Sequence, residues 1–490
     1  MRPPDGPPGG FPVSCEARVE STRVASDAVP SSLVRGCADL DNPSILDSSA
    51  YHPSHGRHTL FACCPLWIME IRGETLLDGR GEMIAEGAGN IWTALDLAFS
   101  SVNVKKTDST PFVPGWIGYF GYEIGRLVED LPGRAARDTS LPDMRLAFYD
   151  ALLVYDAATG RWSRVELVFE DPPERAGMAA GPLVELLRSG QNENPWSVDC
   201  NPSPRELAGA AVSNFELDEY KKAVGKCVDY IASGDIFQVN LSQRFEVTPS
   251  PAPIEIYRVL RERNPAWYSA WLDFVSKENQ CRVLSSSPEL FLRVKDGKVV
   301  TRPIKGTRPR VGDGKADREA SRSLLASEKD NAELAMIIDL LRNDLGRVCR
   351  FNSVRVTDRR RLETHPTVFH LVGTVEGNLR EGVGLAELLR ATFPGGSITG
   401  APKVRAMEII DQLEPVARGV YTGCVGILEA DGSACLNIAI RTIVCDGDRA
   451  LVQAGGGIVA DSSPEAEYIE TLDKARALLE SIELASGPRR

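Results

Sequence analysis

Strand patterns and helix patterns are grouped along this chain, without the regular alternation of a βαβ protein. Residues 283–303 carry two strand patterns around the turn pair Asp296-Gly297, and residues 420–460 form a meander whose turns are Asp-Gly pairs. Helical spacing recurs in three segments, which are residues 217–233, residues 330–348 and a last helix that begins near Ser462. The grouping predicts an α+β fold with antiparallel sheets packed in the core and helices outside.

The division of the chain is indicated by its composition. Residues 1–40 are rich in Pro, Gly and Ser, so we expect a disordered tail there. Residues 171–205 contain six prolines and predict a bridge with one short helix. We therefore predict an N-terminal domain at 41–205 and a larger, catalytic domain at 215–485.

The charge and cysteine content exclude several classes of protein. The chain has 56 Lys and Arg against 68 Asp and Glu, a formal net charge of −12, which is unfavourable for binding nucleic acid or an anionic membrane. No apolar run approaches the roughly 18 residues of a membrane helix. Eleven cysteines occur without a C-x-x-C pair. Because residues 1–10 also lack a secretory signal, we expect a cytoplasmic protein with reduced thiols.

Two acidic pairs have matching spacing on predicted helices. Asp330 and Glu333 are three residues apart on one helix, and Glu467 and Glu470 are three apart on the last. Each pair therefore shares a helix face. Two such faces turned towards one cleft would suit Mg²⁺. The alternative is a set of solvated surface acids, because Lys474 follows Glu470 at the spacing of a salt bridge.

Two glycine-rich segments could bring free backbone amides to an anion. The loop at residues 395–403 contains Thr399 and Gly400 and enters a helix at Pro402, although its spacing is not that of a P-loop. Residues 455–457 are three consecutive glycines. A plain turn is an equally good interpretation of each segment taken singly.

Three further side chains could carry chemistry. Lys305 directly follows a predicted strand, and a lysine held there within a cleft can be a nucleophile. Glu289 begins the hairpin that ends near Lys305. His370 is flanked by apolar residues, so a core histidine is the common explanation for it. Most lysines are solvated, which is the alternative for Lys305.

Taken together, five segments resemble motifs of the chorismate-utilising enzymes. They appear in the family order at residues 235–242 (DIFQVNLS), 302–307 (RPIKGT), 339–348 (DLLRNDLGRV), 393–405 (FPGGSITGAPKVR) and 454–462 (AGGGIVADS). The resemblance implies the family's fold, chorismate as substrate and Mg²⁺ as cofactor. Several motifs in the same order are far more specific than any one of them.

The resemblance also implies roles for individual residues. Glu333 and Glu470 match the family's Mg²⁺ ligands, with Glu467 in support and Asp330 where the family more often has Glu. Positions that hold the substrate, several of them its carboxylates, are matched by Gln238, Thr399, Gly400, Tyr421, Arg441, Gly456 and Lys474. Glu289 matches the general acid/base, and His370 matches an active-site histidine. The segment 45–49 (ILDSS) resembles the family's tryptophan-pocket motif, with Asp47 and Ser48 as pocket residues, so the resemblance implies tryptophan as a further ligand.

Two positions separate members of the family. Enzymes that add water to chorismate have a lysine base where this chain has Gln238, and a neutral amide cannot deprotonate water. Anthranilate synthases typically read P-I-A-G-T where this chain has Lys305, whereas aminodeoxychorismate synthases resemble it in reading P-I-K-G-T. The resemblance therefore implies amination at carbon 4, towards 4-aminobenzoate and folate. Anthranilate synthase component I and a non-catalytic tryptophan- or chorismate-binding subunit remain the alternatives.

The implied mechanism uses Lys305 as a nucleophile on carbon 2 of chorismate. Ammonia then attacks carbon 4 and expels the lysine. No glutaminase signature occurs in the sequence. The ammonia is therefore expected from a separate glutamine amidotransferase subunit, and ammonium salts should replace that partner.

Overall fold

Two long sheets organise the computed structural model of this chain, which describes residues 14–105, 110–191, 211–274, 280–365 and 368–486. The strands are β1 Cys15–Val24, β2 Ser44–Asp47, β3 His58–Ala62, β4 Trp67–Arg72, β5 Thr75–Asp78, β6 Met83–Glu86, β7 Val102–Lys105, β8 Gly115–Phe120, β9 Met144–Phe148, β10 Ala151–Asp156, β11 Arg161–Phe169, β12 Ala211–Ser213, β13 Gln238–Val247, β14 Tyr268–Asp273, β15 Cys281–Ser287, β16 Leu290–Lys295, β17 Lys298–Arg302, β18 Ile304–Pro309, β19 Arg355–Thr364, β20 Val368–Asn378, β21 Gly400–Ala401, β22 Cys424–Glu429, β23 Ala434–Ile438, β24 Thr442–Asp446 and β25 Arg449–Ile458. The helices are α1 Pro30–Cys37, α2 Ala88–Phe99, α3 Ala180–Gly190, α4 Leu217–Ala232, α5 Pro253–Arg263, α6 Gly314–Ala326, α7 Glu328–Gly346, α8 Leu385–Thr392, α9 Lys403–Leu413 and α10 Pro464–Ala485.

Each sheet combines strands from both parts of the chain. The first has the order β12-β13-β25-β24-β15-β14-β2-β3-β10-β11-β1-β7, and the second has the order β18-β20-β17-β16-β23-β22-β8-β9-β4-β5-β6. The early and late strands meet where β2 pairs with β14 and where β8 pairs with β22, both antiparallel. The α+β architecture predicted from the sequence is confirmed.

The main apolar core also draws on both parts of the chain. One buried cluster joins Trp116 and Phe148 of the early strands to Phe291 and Leu436 of the late ones. Burying such large side chains stabilises a fold by roughly 1.5–3 kcal/mol each. The predicted division into domains stays a prediction, and most of its boundary, at residues 192–210, lies outside the described residues.

Residues 14–40 correct the prediction of a disordered tail. The strand β1 pairs with β11 over eight residues and buries Ala17 and Val19. Helix α1 buries Leu33, Val34 and Cys37. The pairing edge that orders this segment lies more than a hundred residues further along the chain, so composition alone did not reveal it. Residues 1–13 lie outside the described residues.

Local signals placed the elements that carry the candidate site. The β16–β17 hairpin turns at Asp296 and Gly297, whose φ angles of 50° and 74° are those of a two-residue turn between antiparallel strands. Helix α7 begins after Ser327, whose side chain accepts a hydrogen bond from the amide of Asp330. Across the described residues, no helix is both long and apolar enough to cross a membrane.

Candidate active site

The first residues of β13 and β18 and the last residues of β25 converge at one cleft. The amide nitrogen Nε2 of Gln238 lies 3.4 Å from Oε2 of Glu333, and Nζ of Lys305 lies 3.6 Å from the same oxygen. A Cβ atom added to Gly457 would lie 2.2 Å from Gln238 Nε2 and 3.3 Å from Lys305 Nζ. The glycine therefore lets the backbone of β25 pass directly beside the lysine.

Helix α10 brings two more carboxylates to this glycine segment. A Cβ atom on Gly456 would lie 2.9 Å from Oε2 of Glu467 and 3.5 Å from Oε1 of Glu470. Burial raises the pKa of Glu467, although Ser462 donates a 2.6 Å hydrogen bond to it. Its second oxygen is buried, and no described residue donates a hydrogen bond to it. Such an oxygen has been removed from water and lacks a donor or a cation.

The charges around Glu470 have the opposite effect. Burial alone would raise its pKa, but the hydrogen bond and charge of Lys474, together with the charge of Lys305, lower the pKa below its ordinary value. The Lys474 Nζ atom lies 2.6 Å from Glu470 Oε1. This residue is therefore held as a carboxylate near neutral pH.

The carboxylates do not surround one point. Among the described residues, no three acidic, histidine or cysteine side chains converge as a metal site. Asp330 instead accepts a 2.9 Å hydrogen bond from Arg308. Glu333, Glu467 and Glu470 nevertheless face the same cleft with hard oxygen donors, and one of those oxygens is unpaired. This donor set fits Mg²⁺. Because the carboxylates do not surround one point, the metal site stays a prediction.

Cationic and hydroxyl groups lie beside the same glycines. Lys474 Nζ donates a 3.0 Å hydrogen bond to the carbonyl of Gly455. The side chain of Arg441 donates to the carbonyl of Lys474, and burial lowers the pKa of this arginine. Burial raises the pKa of Tyr421, whose hydroxyl therefore stays protonated. These groups offer a dianionic ligand local hydrogen-bond donors, although the chain as a whole is acidic.

Glu289 is buried close to Lys305. Burial raises its pKa to about 7, while a hydrogen bond from Ser397 and the charge of Lys305 act against that rise. The Ser397 hydroxyl lies 2.6 Å from Oε1 of Glu289. A carboxyl group with such a pKa can hold a proton and release it near neutral pH.

His370 belongs to the strand beside Lys305. In the register of β18 and β20, Lys305 is opposite Leu371 and Thr307 is opposite His370. The Nδ1 atom of His370 lies 2.9 Å from the Thr307 hydroxyl. Burial lowers its pKa to about 3, so the ring is neutral. It is a partnered, buried histidine next to the cleft.

The loop before α9 contacts β13 next to the cleft. The carbonyl of Thr399 accepts a 2.7 Å hydrogen bond from the amide of Asn240, and the Thr399 hydroxyl donates to the carbonyl of Gly395. Gly400 pairs with Val239, next to Gln238, through the short strand β21. Thr399 and Gly400 therefore fix β13 from within the fold, and their contact with substrate stays a prediction.

Arg418 and Ser397 are two residues that the sequence analysis missed. The Arg418 guanidinium donates to both oxygens of Glu414, at 2.9 and 2.7 Å, and to the carbonyls of Asn240 and Ile398. Only its spacing of four residues from Glu414 could have indicated a pair. Ser397 reaches Glu289 across 108 residues of sequence, for which no sequence signal exists.

Asp47 and Ser48 lie away from this cleft, at a separate cavity of about 360 Å³ that Trp267 and His55 also line. The Asp47 carboxylate is buried and accepts hydrogen bonds of 2.9 Å from Arg261 and 3.0 Å from Thr59. Its oxygens are therefore already paired within the protein. Tryptophan binding at this cavity stays a prediction.

Comparisons with known proteins agree on one family. The sequence profile of the chorismate binding enzymes matches residues 65–480. The chain is 38% identical over 489 residues to anthranilate synthase component 1 of Pseudomonas putida, covering 97% of this chain and 96% of that protein. It is 37% identical over 441 residues to aminodeoxychorismate synthase component 1 of Klebsiella aerogenes, covering 90% and 93%. The crystal structure of anthranilate synthase component I from Streptococcus pneumoniae superposes with a TM-score of 0.74 at 32% identity, covering 88% of this chain and 93% of that one.

Proposed function

The chain belongs to the chorismate binding enzyme family, and on that premise we propose that it transfers ammonia to carbon 4 of chorismate, forming 4-amino-4-deoxychorismate. The observation that carries the proposal is the position of Lys305. Its side chain is only 12% exposed, and its amine lies in the cleft beside Glu333 and Gly457. Relatives with the two activities are almost equally similar, so the choice rests on this lysine.

The proposed reaction uses the lysine as a covalent nucleophile. Lys305 Nζ gives its electron pair to carbon 2, the ring double bonds shift, and the bond from carbon 4 to its hydroxyl breaks. Ammonia then adds at carbon 4, the double bonds shift back, and the bond from carbon 2 to Nζ breaks. The sum is chorismate and ammonia giving 4-amino-4-deoxychorismate and water.

Glu289 supplies the proton that this reaction needs. Hydroxide is a poor leaving group, and a protonated Glu289 lets it depart as water. The proton that the added ammonia sheds returns the carboxylate to its acid form. A pKa of about 7 suits both transfers, because neither form is strongly disfavoured at neutral pH. Neutral His370 would contribute hydrogen bonding and orientation rather than charge.

The remaining polar groups would hold the substrate. Arg441, Lys474, the hydroxyl of Tyr421 and the backbone at Gly456 provide donors for the two carboxylates of chorismate. The amide of Gln238 would line the cleft beside Lys305. Holding the dianion in one orientation sets carbon 2 against the amine.

Glu333, Glu470 and Glu467 would hold a Mg²⁺ ion. Bound there, Mg²⁺ would neutralise a substrate carboxylate and help to orient the ring. The unpaired buried oxygen of Glu467 supports this assignment. The Glu333 carboxylate also contacts Lys305, and the Glu470 carboxylate contacts Lys474.

The ammonia is proposed to come from a separate glutamine amidotransferase subunit. The sequence carries no glutaminase signature, and the family's aminating reactions need this nucleophile in uncharged form. The protein alone should therefore work with ammonium salts and should gain glutamine-dependent activity when the partner subunit is added.

The direct test is product analysis. Purified protein is incubated with chorismate, Mg²⁺ and an ammonium salt, and products are separated by chromatography with mass detection. Aminodeoxychorismate, convertible to 4-aminobenzoate by a lyase, supports the proposal. In parallel, Lys305→Ala should lower turnover by at least 100-fold. The matched control Lys298→Ala, at an exposed lysine of the same sheet, should leave turnover unchanged.

Anthranilate synthase component I is the second candidate, because relatives with that name match over nearly the whole chain. It would aminate carbon 2 and release pyruvate. Formation of anthranilate without a lyase would replace the proposal with this one. A Lys305→Ala variant that keeps turnover within about twofold, a barrier change of ~0.4 kcal/mol, would remove the covalent step in either case.

A further inference from the structure

We propose that Ser397 is a positioning residue that holds and tunes the carboxyl group of Glu289 for proton transfer. The inference rests on the proposed function, since it deepens the role of that acid. The sequence of the glycine-rich loop before α9 is compatible with an anion site or with a plain turn. In the fold, the side chain of Ser397 in this loop reaches the proposed proton donor.

The contact between the two side chains is direct and buried. The Ser397 hydroxyl donates to Oε1 of Glu289 at 2.6 Å, and the two residues are 9% and 3% exposed. The backbone of Ile304 also favours the ionised form of this carboxyl group. Because Ile304 immediately precedes Lys305, the hydrogen bond from Ser397 holds the acid beside the strand that carries the amine.

The loop holds Ser397 rigidly. A Cβ atom on Gly395 would lie 2.6 Å from Ile438, and one on Gly396 would lie 2.6 Å from Leu340, so the loop backbone is packed against both side chains. Arg418 also donates a 3.0 Å hydrogen bond to the carbonyl of Ile398, the next residue. The hydroxyl therefore reaches Glu289 from a fixed point, which favours transfer along one path.

The hydroxyl also affects the acid strength of Glu289. Burial raises the pKa of this carboxyl group to about 7, and the groups that act against burial are Ser397, Lys305 of β18, the Ile304 amide and Lys474 of α10. A hydroxyl that donates to a carboxylate stabilises its ionised form. Without it, the pKa of Glu289 would rise, and the proton would be released less readily.

The test compares Ser397→Ala with the wild-type chain under ammonium-dependent turnover from about pH 5.5 to about pH 9.5. We expect kcat to fall roughly tenfold while KM for chorismate changes less than about twofold. The alkaline limb of the kcat profile should shift to higher pH by roughly half a unit or more. Ser397→Thr, which keeps a hydroxyl, should restore the limb and most of kcat.

The matched control is Ser481→Ala. This serine is also buried, but its hydroxyl donates to the carbonyl of Ala477 within α10. It should leave the pH profile unchanged. A Ser397→Ala variant that loses kcat with an unmoved alkaline limb would overturn the proposal and make the serine merely structural. So would a profile that matches the Ser481→Ala control.

The measurement also separates this inference from the proposed function. Absence of aminodeoxychorismate from the wild-type reaction contradicts the proposed function alone. The pH limb can then be followed on anthranilate, because loss of the hydroxyl group needs the same acid. A normal wild-type product with an unmoved limb in Ser397→Ala contradicts only the role of the serine.

Discussion

Replacing Arg418 with methionine should destabilise the fold strongly, although the residue is absent from the proposed chemistry. Its guanidinium and the carboxylate of Glu414 are 1% and 2% exposed. Methionine fills a similar volume without charge. Among the described residues, the carboxylate then keeps donors only from Ser242. Removing one partner of a buried ion pair costs about 3–5 kcal/mol, because the other charge stays buried.

Urea unfolding followed by tryptophan fluorescence measures this cost. The midpoint should fall without a change in the slope of the transition. In the double variant Arg418→Met/Glu414→Gln no unpaired charge remains. Because the amide oxygen can still accept from Ser242, we expect this variant to regain part of the loss, so the two substitutions should not be additive.

The control for this prediction is an exposed pair. Arg476 and Asp473 have side chains 58% and 56% exposed, and Arg476→Met should change stability by less than ~0.5 kcal/mol. A cost below ~1 kcal/mol for Arg418→Met, or one equal to the surface control, would refute the reasoning that burial makes this charge pair indispensable.

Three other predictions concern the cleft and the core. Gly457→Ala should abolish most turnover at little cost in folding free energy, because its Cβ would lie 2.2 Å from Gln238 Nε2. The control Gly225→Ala, with open space around the added Cβ, should leave turnover unchanged. Glu467→Gln should raise the Mg²⁺ concentration for half-maximal turnover several-fold. Burial raises the pKa of Glu429 to about 8, so its contribution to stability is full below about pH 4.5 and lost as pH rises through 8. Glu429→Gln should therefore flatten the pH dependence of the urea midpoint between pH 5 and pH 8.

Each of these has a contrary outcome. Equal turnover of the two alanine variants would mean that the approach of β25 to the lysine is unimportant. An unchanged Mg²⁺ requirement in Glu467→Gln would remove that residue from the metal site. A midpoint that keeps its full pH dependence after Glu429→Gln would assign the dependence to another buried group.

Elements with strong local signals were predictable from the sequence. The hairpin at Asp296-Gly297 and helix α7 depend on turn chemistry and periodicity that operate within about 20 residues. The prediction for residues 14–40 was wrong because β1 is ordered by β11. The partner residues in that register, from Val24 opposite Trp162 to Ala17 opposite Phe169, are 138 or more positions apart. Composition carries no information about such a partner.

The candidate cleft was predicted only through the order of its motifs. No property of these residues taken alone indicates that Lys305 Nζ and Gln238 Nε2 both lie within 3.6 Å of Oε2 of Glu333. Ser397 and Arg418 remained hidden for a related reason. Their importance lies in hydrogen bonds to backbone carbonyls and to one distant carboxyl group, and residue type alone does not reveal those partners.

The shared sheets also impose an order of events during synthesis. Strand β2 pairs with β14, with Asp47 opposite Ser269, and β8 pairs with β22, which is made later still. At about 5–20 residues per second, the ribosome needs about 10 to 45 seconds to make the roughly 220 residues between Asp47 and Ser269. During that interval the nascent chain presents an unpaired edge of β2 and, once β8 has been made, an unpaired edge of β8 as well. Such edges are templates for wrong pairing. The emerging polypeptide is therefore expected to be a client of ribosome-associated chaperones, and slowing translation should lower its soluble yield.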